Sequence, residues 1–162
     1  MKKIVLLILA LMLTLTLAFV VSCNNESENP QVGSQSSTVN SDNEDSEIPK
    51  QGLWTDATYR KNTELGEGEK TFTLEVAAED KAVTFTVKTN ATTVGEALVA
   101  LGLVEGENAQ YGLYIKKVNG ILADYNVDST YWAFYINGSY AMSGVDSTDI
   151  VNGATYKLSR EK

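Results

Sequence analysis

The chain has 162 residues, of which 13 are basic and 21 acidic, and its formal net charge is −8. A surface this acidic repels nucleic acid, so we expect no nucleic-acid partner. The sequence contains no histidine, which excludes imidazole general-base catalysis, Ser-His triads and imidazole ligation of zinc or haem iron. No other catalytic pattern stands out, and we expect a protein that is not an enzyme.

The N-terminus has the pattern of an export signal. A basic start precedes an apolar run from Ile4 to Val21, which is at the lower length limit for a membrane-spanning helix. Val20-Val21-Ser22-Cys23 follows, and this string resembles the bacterial lipobox. The resemblance implies that residues 1–22 are a lipoprotein signal peptide and that Cys23 carries acyl chains such as palmitate. We therefore expect a protein anchored by lipid to the extracellular face of the cell membrane.

The segment after the cysteine has the composition of a linker. Residues 23–51 are rich in Ser, Asn, Gln, Asp and Glu and contain almost no large apolar side chain. Such a segment cannot bury enough apolar surface to fold, so we predict a disordered acidic tether. The folded domain is predicted to occupy residues 52–162.

Periodicity predicts a β-hairpin followed by one helix. Apolar and polar residues alternate in Thr71–Val76 and again in Val83–Val87, which is typical of two half-buried strands with a turn between them. Thr93 and Glu96 have the spacing of a capping box, and the apolar positions that follow lie on one helical face. Gly102 is the predicted end of this helix.

Further strands are expected in the second half of the domain. Strand patterns occur in Leu113–Val118, Tyr131–Ile136, Tyr140–Met142 and Ala154–Leu158, and Asn-Gly turn signals lie between several of them. The order of hairpin, helix and further strands predicts an α+β fold. We expect a β-grasp-like topology, with one short helix packed on a mainly antiparallel or mixed sheet.

Three tyrosines are the candidate ligand-binding residues. Alternation places Tyr131 and Tyr135 opposite the face that Trp132 and Phe134 turn toward the core, and Tyr140 follows in the next strand. An aromatic row outside the core can stack on a flat or sugar-like ligand. The competing interpretation is ordinary packing, in which another sheet or the segment 113–122 covers these rings.

Asp124, Asn126 and Asp128 place oxygen ligands at alternate positions, as calcium loops do at their start. The rest of the calcium template fails, because Ser129 stands where glycine is needed and Tyr135 where a bidentate glutamate is needed. A turn rich in Asp and Asn explains this segment better, and calcium binding is kept as an alternative.

Several strings resemble, as a set, the bacterial transcobalamin-C-terminal-like domain, also called DUF4430. They are Leu53-Trp54-Thr55-Asp56-Ala57-Thr58-Tyr59, Gly66-Glu67-Gly68, Thr93-Val94-Gly95-Glu96-Ala97-Leu98, Tyr111-Gly112-Leu113-Tyr114, Val118-Asn119-Gly120, Tyr131-Trp132-Ala133-Phe134-Tyr135-Ile136-Asn137-Gly138 and Asn152-Gly153. The resemblance covers about residues 53–160. It implies a β-grasp-related fold and kinship to the small domain with which transcobalamin and intrinsic factor cover one face of cobalamin. The chain has no room for the helical domain that forms the other wall of that site.

These observations favour a non-catalytic binding lipoprotein of the cell surface. It would present a small-molecule ligand, with a corrinoid or another cofactor-like molecule as the candidate, to a membrane partner. An adhesion or protein-interaction module of the cell envelope is the first alternative. A calcium- or metal-binding surface domain is the second.

Overall fold

The computed structural model describes residues 46–162. The predicted signal peptide, Cys23 and most of the predicted tether therefore lie outside the described residues. Within the described range, no helix combines the length and the apolar character that crossing a membrane requires.

The contacts of the domain begin ahead of its predicted start at Gly52. The Ile48 N–H donates to the Arg60 carbonyl at 2.7 Å, and the Arg60 guanidinium donates to the Ile48 carbonyl at 2.8 Å. Arg60 also pairs with Glu47, and the Ile48 side chain packs against the core. Residues 47–51 thus join the folded domain, because one apolar side chain and one arginine hold them there.

The predicted hairpin is present. Strand β2 (Lys70–Ala78) pairs antiparallel with β3 (Lys81–Thr89), and a short β1 (Thr63–Leu65) runs parallel to β3 at the sheet edge. Alternate residues of β2 and β3 are buried, as their hydrophobic pattern predicts.

The predicted helix is also present. Helix α1 (Val94–Ala100) begins with the capping box: the Thr93 hydroxyl accepts from the Glu96 N–H, and the Glu96 carboxylate accepts from the Thr93 N–H, both at 3.2 Å. Gly102 follows the helix in the left-handed region, with φ of 66°. This conformation favours glycine and ends the helix where the sequence predicts.

The rest of the chain adds a small sheet and completes the large one. The remaining elements are β4 (Val104–Ala109), β5 (Gly112–Val118), β6 (Ile121–Leu122), α2 (Tyr125–Asp128), β7 (Tyr131–Ile136), β8 (Ser139–Tyr140) and β9 (Thr155–Glu161), with 3-10 turns at Gly52–Thr55 and Val145–Ser147. The six-stranded sheet has the order β1-β3-β2-β9-β7-β8, and the three-stranded sheet has the order β4-β5-β6.

The topology confirms the predicted α+β, β-grasp-like fold. The last strand, β9, enters the middle of the large sheet, where it runs parallel to β2 and antiparallel to β7. A hairpin, a helix and a final strand that returns beside the first strand define this arrangement. The core lies on the inner face of the large sheet and includes Trp54, Phe85, Leu98 and Tyr156.

Candidate functional site

The two faces of β7 differ in what they contact. Trp132 and Phe134 are buried and belong to the core, and the Phe134 ring stacks on Tyr156 at 6.0 Å between centroids. Tyr131 and Tyr135 are half-buried and face the other way, as alternation along a strand requires. The outer face of the large sheet therefore carries the two predicted tyrosines of β7.

The structure brings the predicted tyrosines together. Tyr140 lies directly opposite Tyr135 across β7 and β8, with ring centroids 5.4 Å apart and ring planes at 82°. The Tyr135 hydroxyl donates to the Glu161 carboxylate at 2.8 Å. Glu161 is in turn the cross-strand partner of Tyr131. We call Tyr125, Tyr131, Tyr135, Tyr140 and Glu161 the tyrosine cluster.

The pKa values of Tyr131 and Tyr135 are raised by their neighbours in the cluster and by partial burial. The hydrogen bond to Glu161 is the main reason why the pKa of Tyr135 is raised. Partial burial raises the pKa of Tyr131, and the neighbouring Tyr140, Glu161 and Tyr125 raise it further. Tyr125, on α2 and six residues before Tyr131, is thus the fourth tyrosine of this group. Both shifts keep the phenols of β7 neutral near pH 7.

The segment 113–122 does not bury the predicted tyrosines. Its residues Val118 and Ile121 belong to the core cluster, together with Trp132 and Phe134, on the inner side of β7. Tyr140 remains 57% exposed. Val118 and Ile121 therefore do not cover the outer rings, and ordinary packing of the half-buried Tyr131 and Tyr135 stays the competing interpretation.

The predicted calcium segment folds as the short helix α2. Asp124 caps this helix and accepts from the Asn126 N–H at 2.9 Å. Asp128 accepts from the Thr130 hydroxyl and pairs with Arg160. The hydrogen bond from Thr130 is the main reason why the pKa of Asp128 is lowered. Calcium binding at Asp124, Asn126 and Asp128 stays a prediction, and any cation there has to compete with Arg160.

The described part of the chain contains no group of three or more His, Cys, Asp or Glu side chains arranged to hold a metal ion.

Apart from the tyrosine cluster, the domain has an open cleft between α1, β4 and the turn at Val145–Ser147. This open cleft has a volume of about 750 Å³, and Val99, Val104 and Leu113 contribute to its apolar lining. Asp146 lies at its edge and accepts from the Leu113 N–H at 3.1 Å. A cleft of this volume is within the range of small-molecule sites.

Sequence reasoning missed two members of the tyrosine cluster and the whole cleft. Glu161 lies beyond the predicted last strand, and Tyr125 lies inside the segment interpreted as a turn. Tyr125 could have been flagged as a large aromatic residue in a polar segment, because it is 60% exposed. The cleft could not have been found, since β4 gave no strand signal.

Residues 91–156 match the family model of DUF4430, a domain of unknown function. The predicted resemblance is therefore confirmed for this segment, which includes α1, β4 to β8 and all four tyrosines of the cluster. The match ends before Glu161, and the hairpin of β2 and β3 precedes it.

Solved structures of 17 protein chains are similar to this chain, among them the following two. A candidate metal-binding protein from Ruminococcus gnavus ATCC 29149 aligns with a TM-score of 0.55 at 28% identity, over 58% of this chain and 98% of that one. Haptocorrin in complex with Cbi aligns with a TM-score of 0.44 at 21% identity, over 57% of this chain and 25% of haptocorrin. No curated protein matches the chain.

Proposed function

We propose that this chain is a non-catalytic, lipid-anchored binding protein of the bacterial cell surface, which holds a small-molecule ligand at the tyrosine cluster and presents it to a membrane partner. The observation that carries the proposal is the convergence of Tyr131, Tyr135 and Tyr140 on the outer face of the large sheet. Partly exposed tyrosines offer apolar area and a polar tip at low conformational cost, which suits ligand binding.

The geometry of the rings indicates the shape of the ligand. Tyr135 and Tyr140 stand nearly perpendicular, so both rings cannot lie flat on the same side of one planar macrocycle. A compact ligand that fits a corner is favoured over a flat one such as a corrinoid or porphyrin. The absence of histidine from the sequence also removes imidazole as a ligand for corrinoid cobalt.

A binding screen tests this function. The purified protein is titrated with corrinoids, porphyrins, glycans and small organic cations, and the fluorescence of the tyrosines and of Trp132 is followed. We expect one of these ligand classes to bind saturably to the wild type and not to bind to the Tyr135→Ala variant. Tyr111→Ala is the matched control, because Tyr111 is 89% exposed and lies outside the cluster. Affinities no better than millimolar for every class would count against the proposal.

The lipid anchor is tested at Cys23. Replacing the thiol by a hydroxyl in Cys23→Ser removes the acceptor for the acyl chains, and stable anchoring requires such chains. We expect the wild-type protein to incorporate labelled palmitate and to sediment with membranes, and Cys23→Ser to do neither. A Cys23→Ser protein that stays membrane-bound would mean that the run from Ile4 to Val21 is itself the anchor.

An adhesion or protein-interaction module is the second candidate, and the edge strand β4 favours it. Among residues 46–162, β4 pairs with β5 alone, and the cleft borders it. An exposed strand edge can bind an extended peptide by adding it to the sheet. Capture of a specific envelope partner by the purified protein, without small-molecule binding, would support this candidate over the first.

A calcium- or metal-binding role is the third candidate. It rests on the oxygen ligands of Asp124, Asn126 and Asp128 and on the similarity to the candidate metal-binding protein of R. gnavus. Calcium binding would stabilise the folded state and raise its melting temperature. If neither calcium nor a chelator changes the melting temperature, the calcium-binding role is excluded.

A further inference from the structure

The Tyr135 side chain extends along β7 toward Tyr131. Ala133 lies between Tyr131 and Tyr135 and shares their outer face, yet it is only 1% exposed and does not belong to the core cluster. The Tyr135 hydroxyl reaches Glu161, the cross-strand partner of Tyr131, and this direction carries its side chain along β7 past Ala133. Tyr135 therefore extends over the outer face toward Tyr131 and Glu161.

This group has the parts of a cation-binding corner. Tyr135 and Tyr140 form two walls at 82°, and Tyr140 is exposed enough to admit a ligand. The face of an aromatic ring carries negative potential, which attracts a cation placed over it. The Glu161 carboxylate adds a full negative charge beside the rings.

The two basic residues of β9 form ion pairs outside this corner. Lys157 is the cross-strand partner of Tyr135, but its ammonium pairs with Glu75 at 3.0 Å, toward β2. Arg160, the other basic residue of β9, binds Asp128 and the Leu122 carbonyl. The negative potential of the corner is therefore left to a ligand.

The chemistry of the corner selects one kind of cation. A primary ammonium has three N–H donors that need acceptors, and calcium needs six to eight oxygens. The corner supplies ring faces and one carboxylate, of which one oxygen already accepts from Tyr135. A quaternary ammonium group has no N–H to satisfy, and aromatic rings are its usual protein partners.

We infer that the tyrosine cluster binds a quaternary ammonium group, as in choline or a molecule that carries choline. This inference rests on the proposed function, because it names the ligand class of the same site. The group would lie in the corner between Tyr135 and Tyr140, next to the Glu161 carboxylate. Glycine betaine carries its own carboxylate close to the ammonium, and the Glu161 carboxylate would repel it.

The test compares choline with its neutral isostere, 3,3-dimethylbutan-1-ol, in titrations of the purified full chain followed by tyrosine ring proton shifts in NMR spectra. The two molecules have the same shape and differ in charge. We expect choline to bind about tenfold more tightly than the alcohol, the size of a cation–π contribution at a partly exposed site. Equal affinities would overturn the inference, and so would glycine betaine binding more tightly than choline.

Phosphocholine identifies the source of the ligand. Binding at least as tight as that of choline would assign the site to choline carried on a phosphodiester, as in a surface polymer or a lipid headgroup. Weaker binding would assign it to free choline. Either result supports a quaternary ammonium site.

Variants locate the binding. We expect Tyr140→Ala to lose about tenfold in choline affinity, whereas Tyr140→Phe keeps the ring and most of the affinity. Glu161→Gln keeps a carbonyl oxygen for Tyr135 and loses the charge, so its affinity should fall severalfold. Tyr111→Ala should bind as the wild type does. An unchanged affinity in Tyr140→Ala, with the fold verified by circular dichroism, would place choline elsewhere and overturn the inference.

The inference and the proposed function fail in different ways. If choline does not bind, but another class in the screen binds and Tyr135→Ala abolishes its binding, the inference is wrong and the proposed function stands. If no class binds, both are wrong.

Discussion

The two faces of β7 carry the same kind of residue for different purposes. On the inner face Trp132 and Phe134 fill the core, and the buried Tyr156 beside them uses its hydroxyl locally: it accepts from the Val151 N–H at 3.0 Å and donates to the Asp149 carbonyl at 3.3 Å. On the outer face Tyr131 and Tyr135 stay partly exposed; the Tyr135 hydroxyl donates to Glu161, the cross-strand partner of Tyr131. Aromatic content alone therefore does not distinguish a core from a site. The exposure of the rings and the partners of their hydroxyls do.

The largest expected effect separates the two faces directly. Phe134→Ala removes a buried ring that stacks on Tyr156, and we expect the free energy of unfolding to fall by about 3–5 kcal/mol. Tyr135→Ala, at the next residue, should lower the free energy of unfolding much less. The Tyr135 ring is half-exposed, so its removal leaves no closed cavity. Urea denaturation of both variants measures this. Equal losses would mean that the outer face is also core.

A similar contrast holds for buried and exposed amides. Asn119 is fully buried; its side chain accepts from the Tyr59 N–H at 2.8 Å and donates to the Tyr59 carbonyl at 2.7 Å. Asn119→Ala leaves both backbone groups without partners, so we expect a loss of about 2–4 kcal/mol in urea denaturation. The exposed Asn152, which accepts from the Thr71 N–H at 2.7 Å, is the control. A loss for Asn119→Ala no larger than for Asn152→Ala would contradict this explanation.

Helix α1 packs on the inner side and depends on its cap. Thr93→Ala removes the hydroxyl that accepts from the Glu96 N–H, which should lower the free energy of unfolding by about 1 kcal/mol. Thr93→Ser keeps the hydroxyl and should restore most of this loss. Thermal unfolding of the two variants measures the difference, and no rescue by serine would argue against the capping box.

The contribution of Asp128 to the stability of the folded state depends on pH. The hydrogen bond from Thr130, followed by other contacts that include Arg160, lowers its pKa in the folded state below the ordinary value of 3.8. The stabilisation is therefore present above about pH 4 and is lost as the pH falls through the folded pKa. We expect the melting temperature of the wild type to fall more steeply below pH 4 than that of Asp128→Asn. Parallel pH profiles would show that Asp128 does not contribute.

The sequence predicted the inner face well and the outer face in part. The hairpin, α1 and β7 follow from alternation, helical spacing and the capping box, which are local signals. Tyr131, Tyr135 and Tyr140 also follow from local signals, namely alternation and the Asn137-Gly138 turn. Tertiary structure adds Tyr125 and Glu161, because the position of α2 and the register of β9 against β7 bring them to the others.

Strand β4 shows why the remainder could not be predicted. Only Val104 of its residues is buried, and the others are exposed, so its sequence has no alternation. Backbone hydrogen bonds to β5 make it a strand, with a register shift between Glu105 and Gly106. Sequence patterns indicate a strand by the alternation of buried apolar and exposed polar side chains. An exposed edge strand has almost no such alternation and is therefore not predicted.

The most direct test of the difference between the two faces measures stability and choline affinity in the same variant, Tyr140→Ala. Tyr140 is exposed on a short edge strand, so its ring should contribute to binding and hardly to folding. We predict that the free energy of unfolding changes by less than about 1 kcal/mol while choline affinity falls about tenfold. A large loss of stability, or an unchanged choline affinity, would contradict the assignment of the outer face as the binding site.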